Sequence, residues 1–200
     1  GTQPVWRMRG EALLVGIEDE RLPEVRKELR FVRRALGRTR LLRDRDATRE
    51  AILRQLSGRR LVHIAGHART RTEVPMLSAL RSRDGWITAQ DLGELSLDGA
   101  LVVLSACRTG DPALQWRGEA LAGFPWALIG AGASALVASR WEIRDEVAHA
   151  WMRLFYRELR SATPDVAAAV SGRAVRKRFP HPADWAAFLT IRGITKRQAR

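Results

Sequence analysis

Cysteine is scarce in this chain: Cys107 is the one cysteine among 200 residues. An internal disulfide is therefore excluded, and a reducing, cytoplasmic setting is expected. Lysine is nearly missing too. Lys27, Lys177 and Lys196 are the three lysines, so arginine carries almost all of a formal charge of +13. No aromatic residues interleave with the arginines into a stripe, which argues against a specific nucleic-acid surface. The densest groups, Arg38–Arg45 and Arg173–Arg178, read as solvated faces, and the closing KRQAR reads as a basic tail. No apolar run approaches the ~18 residues that a membrane span requires, and the N-terminus lacks the order of a secretory signal. Neither a membrane partner nor a secreted location is expected. The chain starts at Gly1 rather than methionine, which suggests an excised or processed piece of a longer protein. Internal repeats, low-complexity tracts and flexible linkers are not evident. One domain over 1–200, with its core at about 12–193, is the expectation.

What is present is an alternation of apolar runs and amphipathic stretches. Ala12–Ile17 reads as a first strand. Over Pro23–Leu36, Val25, Leu29, Val32 and Leu36 recur at helical spacing before Gly37 stops the helix. Arg40–Leu42 fits a short strand. Asp46 is the expected cap of a helix over Ala47–Leu56 that ends at Gly58. Leu61–Ala68 (LVHIAGHA) and Leu101–Gly110 (LVVLSACRTG) are β-branched runs of the kind buried in parallel sheets. Residues Arg69–Gly85 read as a loop with room for a small hairpin, and Thr88 as the cap of a short helix over Ala89–Leu92. A loop follows from Arg108 to Arg117. Glu119–Gly130 is apolar nearly all round and predicts a buried helix. Ala135–Ser139 is a further strand, Asp145–Leu159 an amphipathic helix, Thr163–Pro164 a helix start, and Trp185–Ile191 a last strand. Alternating elements of this size predict an α/β fold with a mostly parallel central sheet flanked by helices. The run Gly130–Ser134 (GAGAS) mimics part of a dinucleotide fingerprint. It follows a helix and opens a strand, the reverse of what that motif needs, so it reads as a helix stop and tight turn.

His67 and Cys107 close the two parallel-type strands. A lone strand-end histidine usually bonds to a loop, and a lone cysteine is often an inert small hydrophobe. The pairing raises the second reading, in which an imidazole next to a thiol supplies the base that a nucleophilic cysteine needs. His63 stands four residues before His67. Along a strand that spacing separates the rings by about 13 Å, so a shared metal is not expected and His63 reads as a packed residue. No metal or organic cofactor is expected.

Taken together, HIAGHA and LSACRTG resemble the histidine and cysteine boxes of the CHAT domain, a caspase–separase-like cysteine peptidase family often found with TPR repeats. The likeness continues through Gly118–Leu121, GAGASALVASRWEIRDE (Gly130–Glu146) and DWAAFLTIRG (Asp184–Gly193), so it spans roughly 12–193. The resemblance implies a caspase-like three-layer sandwich and a cysteine endopeptidase acting on protein or peptide substrates through an acyl-enzyme. Cys107 would be the nucleophile and His67 the general base and acid. The backbone N–H groups of Cys107 and Ala68 would hold the oxyanion. The family usually has glycine where Ala68 stands, which matters if that position needs φ > 0. Arg108 replaces a more usual acidic residue, and reads either as a cation beside the thiol or as a surface residue. Trp141, Glu142 and Asp145 would line the substrate pocket, with Trp141 an apolar wall and Asp145 a partner for a basic side chain. Asp145 reads equally well as a helix cap. Asp111 and Glu119 are further acidic candidates. The resemblance also implies regulation by adjoining domains or a partner protein, such as TPR repeats. The alternative is a catalytically silent member of the fold that serves as a scaffold for protein–protein interaction.

Overall fold

The computed structural model describes residues 10–20, 22–71, 73–105 and 123–193. Nine strands and seven helices are found among the described residues. The chain opens with β1 (Ala12–Gly16), α1 (Val25–Leu36), β2 (Thr39–Arg43), α2 (Arg49–Leu56) and β3 (Leu61–Ala65). The short strands β4 (Ala68–Arg69), β5 (Ala79–Arg81) and β6 (Trp86–Thr88) follow, then α3 (Ala89–Gly93) and β7 (Leu101–Ser105). The second half holds α4 (Gly123–Gly130), β8 (Ala135–Ser139), α5 (Asp145–Glu158), α6 (Pro164–Arg176), α7 (Pro182–Trp185) and β9 (Phe188–Arg192).

The main sheet has six strands in the order β2-β1-β3-β7-β8-β9, all parallel except β9. Side chains alternate across a strand, and here both faces are buried. On one face Leu13, Val15, Val62, Ile64, Val102 and Leu104 meet α2, α3 and α4. On the other, Leu14, Leu61, Ala65, Leu101 and Val103 meet α1, α5 and α6. The result is the expected three-layer sandwich. Trp151, fully buried on α5, stacks on Phe155 (5.0 Å) and on Phe188 of β9 (4.3 Å). Gly16 marks where α1 presses on the sheet, since a Cβ there would lie 2.2 Å from Leu29 Cδ1. No described helix is long and apolar enough to cross a membrane.

The chain runs from β1 to β2 on one side, then returns to place β3 on the other side of β1. Such a reversal opens a crevice at the carboxyl ends of the two strands. That crevice lies between the segment after β1 and the segment after β3.

Several sequence expectations shift on this fold. Asp46 does not cap α2. Residues Asp44–Asp46 form a 3₁₀ turn, and Thr48 caps α2 by accepting a bond from Ala51 N–H. The stretch Arg69–Gly85 is more than a loop, because β4, β5 and β6 build a second, antiparallel sheet. Thr88 does cap α3, in a reciprocal box with Asp91. The last strand begins later than Trp185: residues Pro182–Trp185 make one helical turn, and the strand is Phe188–Arg192. Of the Glu119–Gly130 helix, the described part is Gly123–Gly130. Phe124, Ala127 and Leu128 face the core, but Trp126 is 79% exposed. An all-round apolar pattern does not say which side meets the sheet. Gly130–Ser134 is indeed a helix stop, with Gly132 at φ 101° against Asp98.

Candidate active site

The crevice at the switch between β1 and β3 opens as a cleft of about 980 Å³. Its walls include Ile17, Glu18 and Asp19 after β1, and Asp44 and Arg45 after β2. His67, Ala68 and Arg69 line it after β3, Arg81, Ser82, Arg83 and Trp86 come from the small sheet, and Glu142 follows β8.

His67 enters this cleft because the chain is pinned on both sides of it. β3 and β7 are parallel neighbours, in register through Ala65 opposite Ser105. Gly66 N–H still donates to Ser105 O at 3.3 Å, and Ile17 N–H donates to Ala65 O at 3.1 Å. One residue on, His67 O accepts from Arg81 N–H at 2.8 Å, which ties the histidine to the small sheet. The imidazole Nε2 lies 2.5 Å from Asp19 Oδ2. Among the described residues Asp44, at φ 49°, is the one non-glycine with positive φ. Ala68 therefore sits in strand geometry that an L-residue accepts, and the departure from glycine brings no backbone strain.

Cys107, with Arg108, Asp111, Gly118–Leu121 and the loop Arg108–Arg117, lies outside the described residues. Of the other expected site residues, Ala68 is buried beside His67, and Glu142 lines the same cleft. Trp141 instead donates its indole N–H to Ala183 O (2.7 Å), with the Arg140 guanidinium 5.0 Å from its ring. Asp145 is the first residue of α5, whose cap is Arg144, so it does not cap that helix. Its Oδ2 accepts from Glu24 N–H at 2.7 Å, just before α1. Burial pushes the Asp145 carboxyl above its ordinary value; the Glu24 N–H opposes this, and the charges of Glu28 and Glu24 add to it.

Asp19, Arg69, Arg81 and Trp86 escape a reading by motif. Asp19 follows an apolar strand, which is the one signal that pointed to the crevice. The Arg69 and Arg81 Cζ atoms lie 4.3 and 5.2 Å from the Trp86 ring centre. Their stretch looked like a loop because β4, β5 and β6 are two or three residues long.

His63, in the middle of β3, is fully buried on the face of the sheet that α1 and α5 cover. Its Nδ1 lies 2.9 Å from the Tyr156 hydroxyl of α5. Its Nε2 lies 2.9 Å from Glu28 Oε1 of α1, an ion-pair distance off the line of a good hydrogen bond. Burial, and then the charge of Glu28, push the Tyr156 phenol well above its ordinary value, so it stays protonated. His63 is thus a packed residue with partners of its own.

Compared with known families, residues 7–193 match the CHAT domain. No curated protein matches the sequence. Among solved structures, the chain is similar to separase in the separase–securin complex of Saccharomyces cerevisiae, with TM-score 0.63 and 13% identity over 92% of this chain. It is also similar to RgpB of Porphyromonas gingivalis in a complex of its pro- and mature domains, with TM-score 0.64 and 14% identity over 96% of this chain. A structure of RgpB described as the Arg-specific cysteine proteinase gingipain R gives TM-score 0.64 at 12% identity over 96% of this chain. The chain spans 12% of the separase and 48% and 47% of the two gingipain chains. Those identities carry the fold alone.

Proposed function

The chain belongs to the CHAT domain family, and from that premise we propose that it is a cysteine endopeptidase whose nucleophile is Cys107 and whose base is His67. The observation that carries this reading is the adjacency of β3 and β7. They run parallel and in register to Ala65 and Ser105, and His67 and Cys107 each follow two residues later in the sequence.

In this mechanism the Cys107 thiol passes its proton to His67, and the sulfur attacks the scissile carbonyl. A C–S bond forms as the carbonyl π pair moves onto oxygen, where the N–H groups of Ala68 and Cys107 receive the charge. Fixed donors of this kind are typically worth ~3 kcal/mol each in the transition state. His67 then returns the proton to the departing amine as the C–N bond breaks, leaving a thioester. Water, deprotonated by His67, attacks that ester and frees Cys107. Asp19 acts as the orienting residue. When Nε2–H donates to its carboxylate, the lone pair sits on Nδ1, the nitrogen that meets the thiol.

Glu142 faces the bound chain, while Trp141, bonded to Ala183, and Asp145, bonded to Glu24 N–H, support the segment on either side of it. The chain works as one domain in a cytoplasmic setting, in keeping with its single cysteine. Separase is found in complex with securin, and by analogy an adjoining TPR-type domain or partner protein governs access to this cleft.

A fluorogenic peptide assay, with and without Cys107→Ala, tests the reading. Turnover that vanishes in the variant is expected. Turnover that survives it overturns the assignment, and peptide binding without any turnover points instead to a scaffold.

A further inference from the structure

The cleft beside His67 is lined by four arginines, Arg45, Arg69, Arg81 and Arg83, and by four carboxylates, Glu18, Asp19, Asp44 and Glu142. Its acids are largely committed. Asp19 pairs with His67, Glu18 with Arg26 at 2.8 Å and Asp44 with Arg43 at 3.9 Å, while Glu142 is engaged as well. Among the described residues, no carboxylate pairs with Arg45, Arg69, Arg81 or Arg83 of the same cleft. Arg69 and Arg81 are held against the Trp86 ring at 4.3 and 5.2 Å. An aromatic backing fixes the plane of a guanidinium and leaves its N–H edge to face an incoming group.

The wall that presents them is anchored. Arg83 N–H donates to Ala47 O at 2.9 Å, and Asp84 Oδ1 accepts from Arg49 N–H at 2.8 Å and from the Ser82 hydroxyl at 3.1 Å. The Arg49 N–H in particular holds the Asp84 carboxyl below its ordinary value, although burial opposes it. From its other end, the Arg49 guanidinium reaches Asp91 of α3 at 2.7 Å. The hairpin between β5 and β6 is thereby tied to the start of α2, which Arg49 in turn links to α3, so the backbone that carries Arg81 and Arg83 is anchored before any ligand arrives.

We propose that the segment of substrate lying over the small sheet is acidic, its carboxylates received by Arg69 and Arg81 against Trp86 and by Arg45 and Arg83 across the cleft. This names a substrate class for the peptidase read above and rests on that reading for its place beside the scissile bond. A fork of N–H donors matches a carboxylate in two bonds. A peptide is favoured over a polyphosphate because the arginines share one cleft with His67 and do not run as a track along the surface.

The test measures binding by fluorescence anisotropy to the full chain carrying Cys107→Ala, so binding is read apart from cleavage. The probes are a labelled glutamate-rich peptide, its glutamine counterpart and a single-stranded RNA oligonucleotide. The acidic peptide should bind roughly tenfold tighter than the neutral one, and salt should erode the difference. Arg69→Glu/Arg81→Glu should abolish that preference. Arg69→Lys/Arg81→Lys, which keeps charge but loses the fork and the stacking, should recover only part of it. If the glutamate pair unfolds by circular dichroism, the exposed pair Arg45→Gln/Arg83→Gln takes its place. Equal affinity for the two peptides, a preference that survives these changes, or tighter binding of RNA would overturn the proposal. Cleavage of all peptides without discrimination defeats this inference alone. Selective binding with no cleavage by the unsubstituted chain defeats the peptidase reading alone.

Discussion

Strand β3 pairs a histidine with a carboxylate twice, at its middle and just past its end. His63 meets Glu28 at 2.9 Å with side chains 0% and 3% exposed; His67 meets Asp19 at 2.5 Å with side chains 18% and 43% exposed. The chemistry is the same and the surroundings are opposite. In the interior the pair has lost its water, so each partner is indispensable to the other. On the rim water screens the pair, and little stability rides on it. What the rim pair retains is access to the cleft.

The contrast breaks most visibly at Glu28. Glu28→Ala strands a buried imidazole and should lower stability by about 3–5 kcal/mol in urea unfolding followed by tryptophan fluorescence. The double change Glu28→Leu/His63→Leu should recover much of that loss, because an apolar pair of similar volume needs no partner. No recovery would mean that the interior pair stabilises beyond its own desolvation.

At the rim, His67→Ala and Asp19→Asn should each shift stability by less than about 1 kcal/mol. In the peptide assay His67→Ala should lower turnover by roughly a hundredfold or more. Asp19→Asn should lower kcat by less, leave KM near its starting value and displace the pH profile. A KM effect with kcat intact would instead make Asp19 a substrate contact.

The smallest effect concerns Asp145, which borders the interior pair. Its carboxyl is raised on folding, so the folded chain holds a proton that the unfolded chain has released. Stability should therefore fall as pH rises from the ordinary aspartate value through the raised one. Asp145→Asn keeps an oxygen for Glu24 N–H and should flatten that slope in denaturation series across mildly acidic pH. An unchanged slope would assign it to other groups.

Much of this was legible in the chain. Ala12–Ile17, Leu61–Ala68 and Leu101–Gly110 announced a parallel sheet because strands buried on both faces are apolar without interruption. The α1 and α5 helices showed through the spacing of Val25, Leu29 and Val32, and of Val147, Trp151 and Phe155. The small sheet did not show, since strands of two or three residues carry too little period to stand out. Asp46 looked like a cap until Thr48 supplied the oxygen at the right step. Trp126 shows why apolar composition cannot reveal which side of a helix is covered. The site was half legible: His67 announced itself by ending its strand, whereas Asp19 becomes its neighbour only when β1 and β3 pair across 48 residues of sequence.

Among the described residues β2 is the outermost strand of the main sheet and turns one side of its backbone away from the other five strands. A row of amides and carbonyls left at a border invites a second molecule to extend it. Arg40 and Arg43 stand exposed along that border, with Arg38 just before it. Two copies drawn together there would bring like charges face to face, which opposes such pairing.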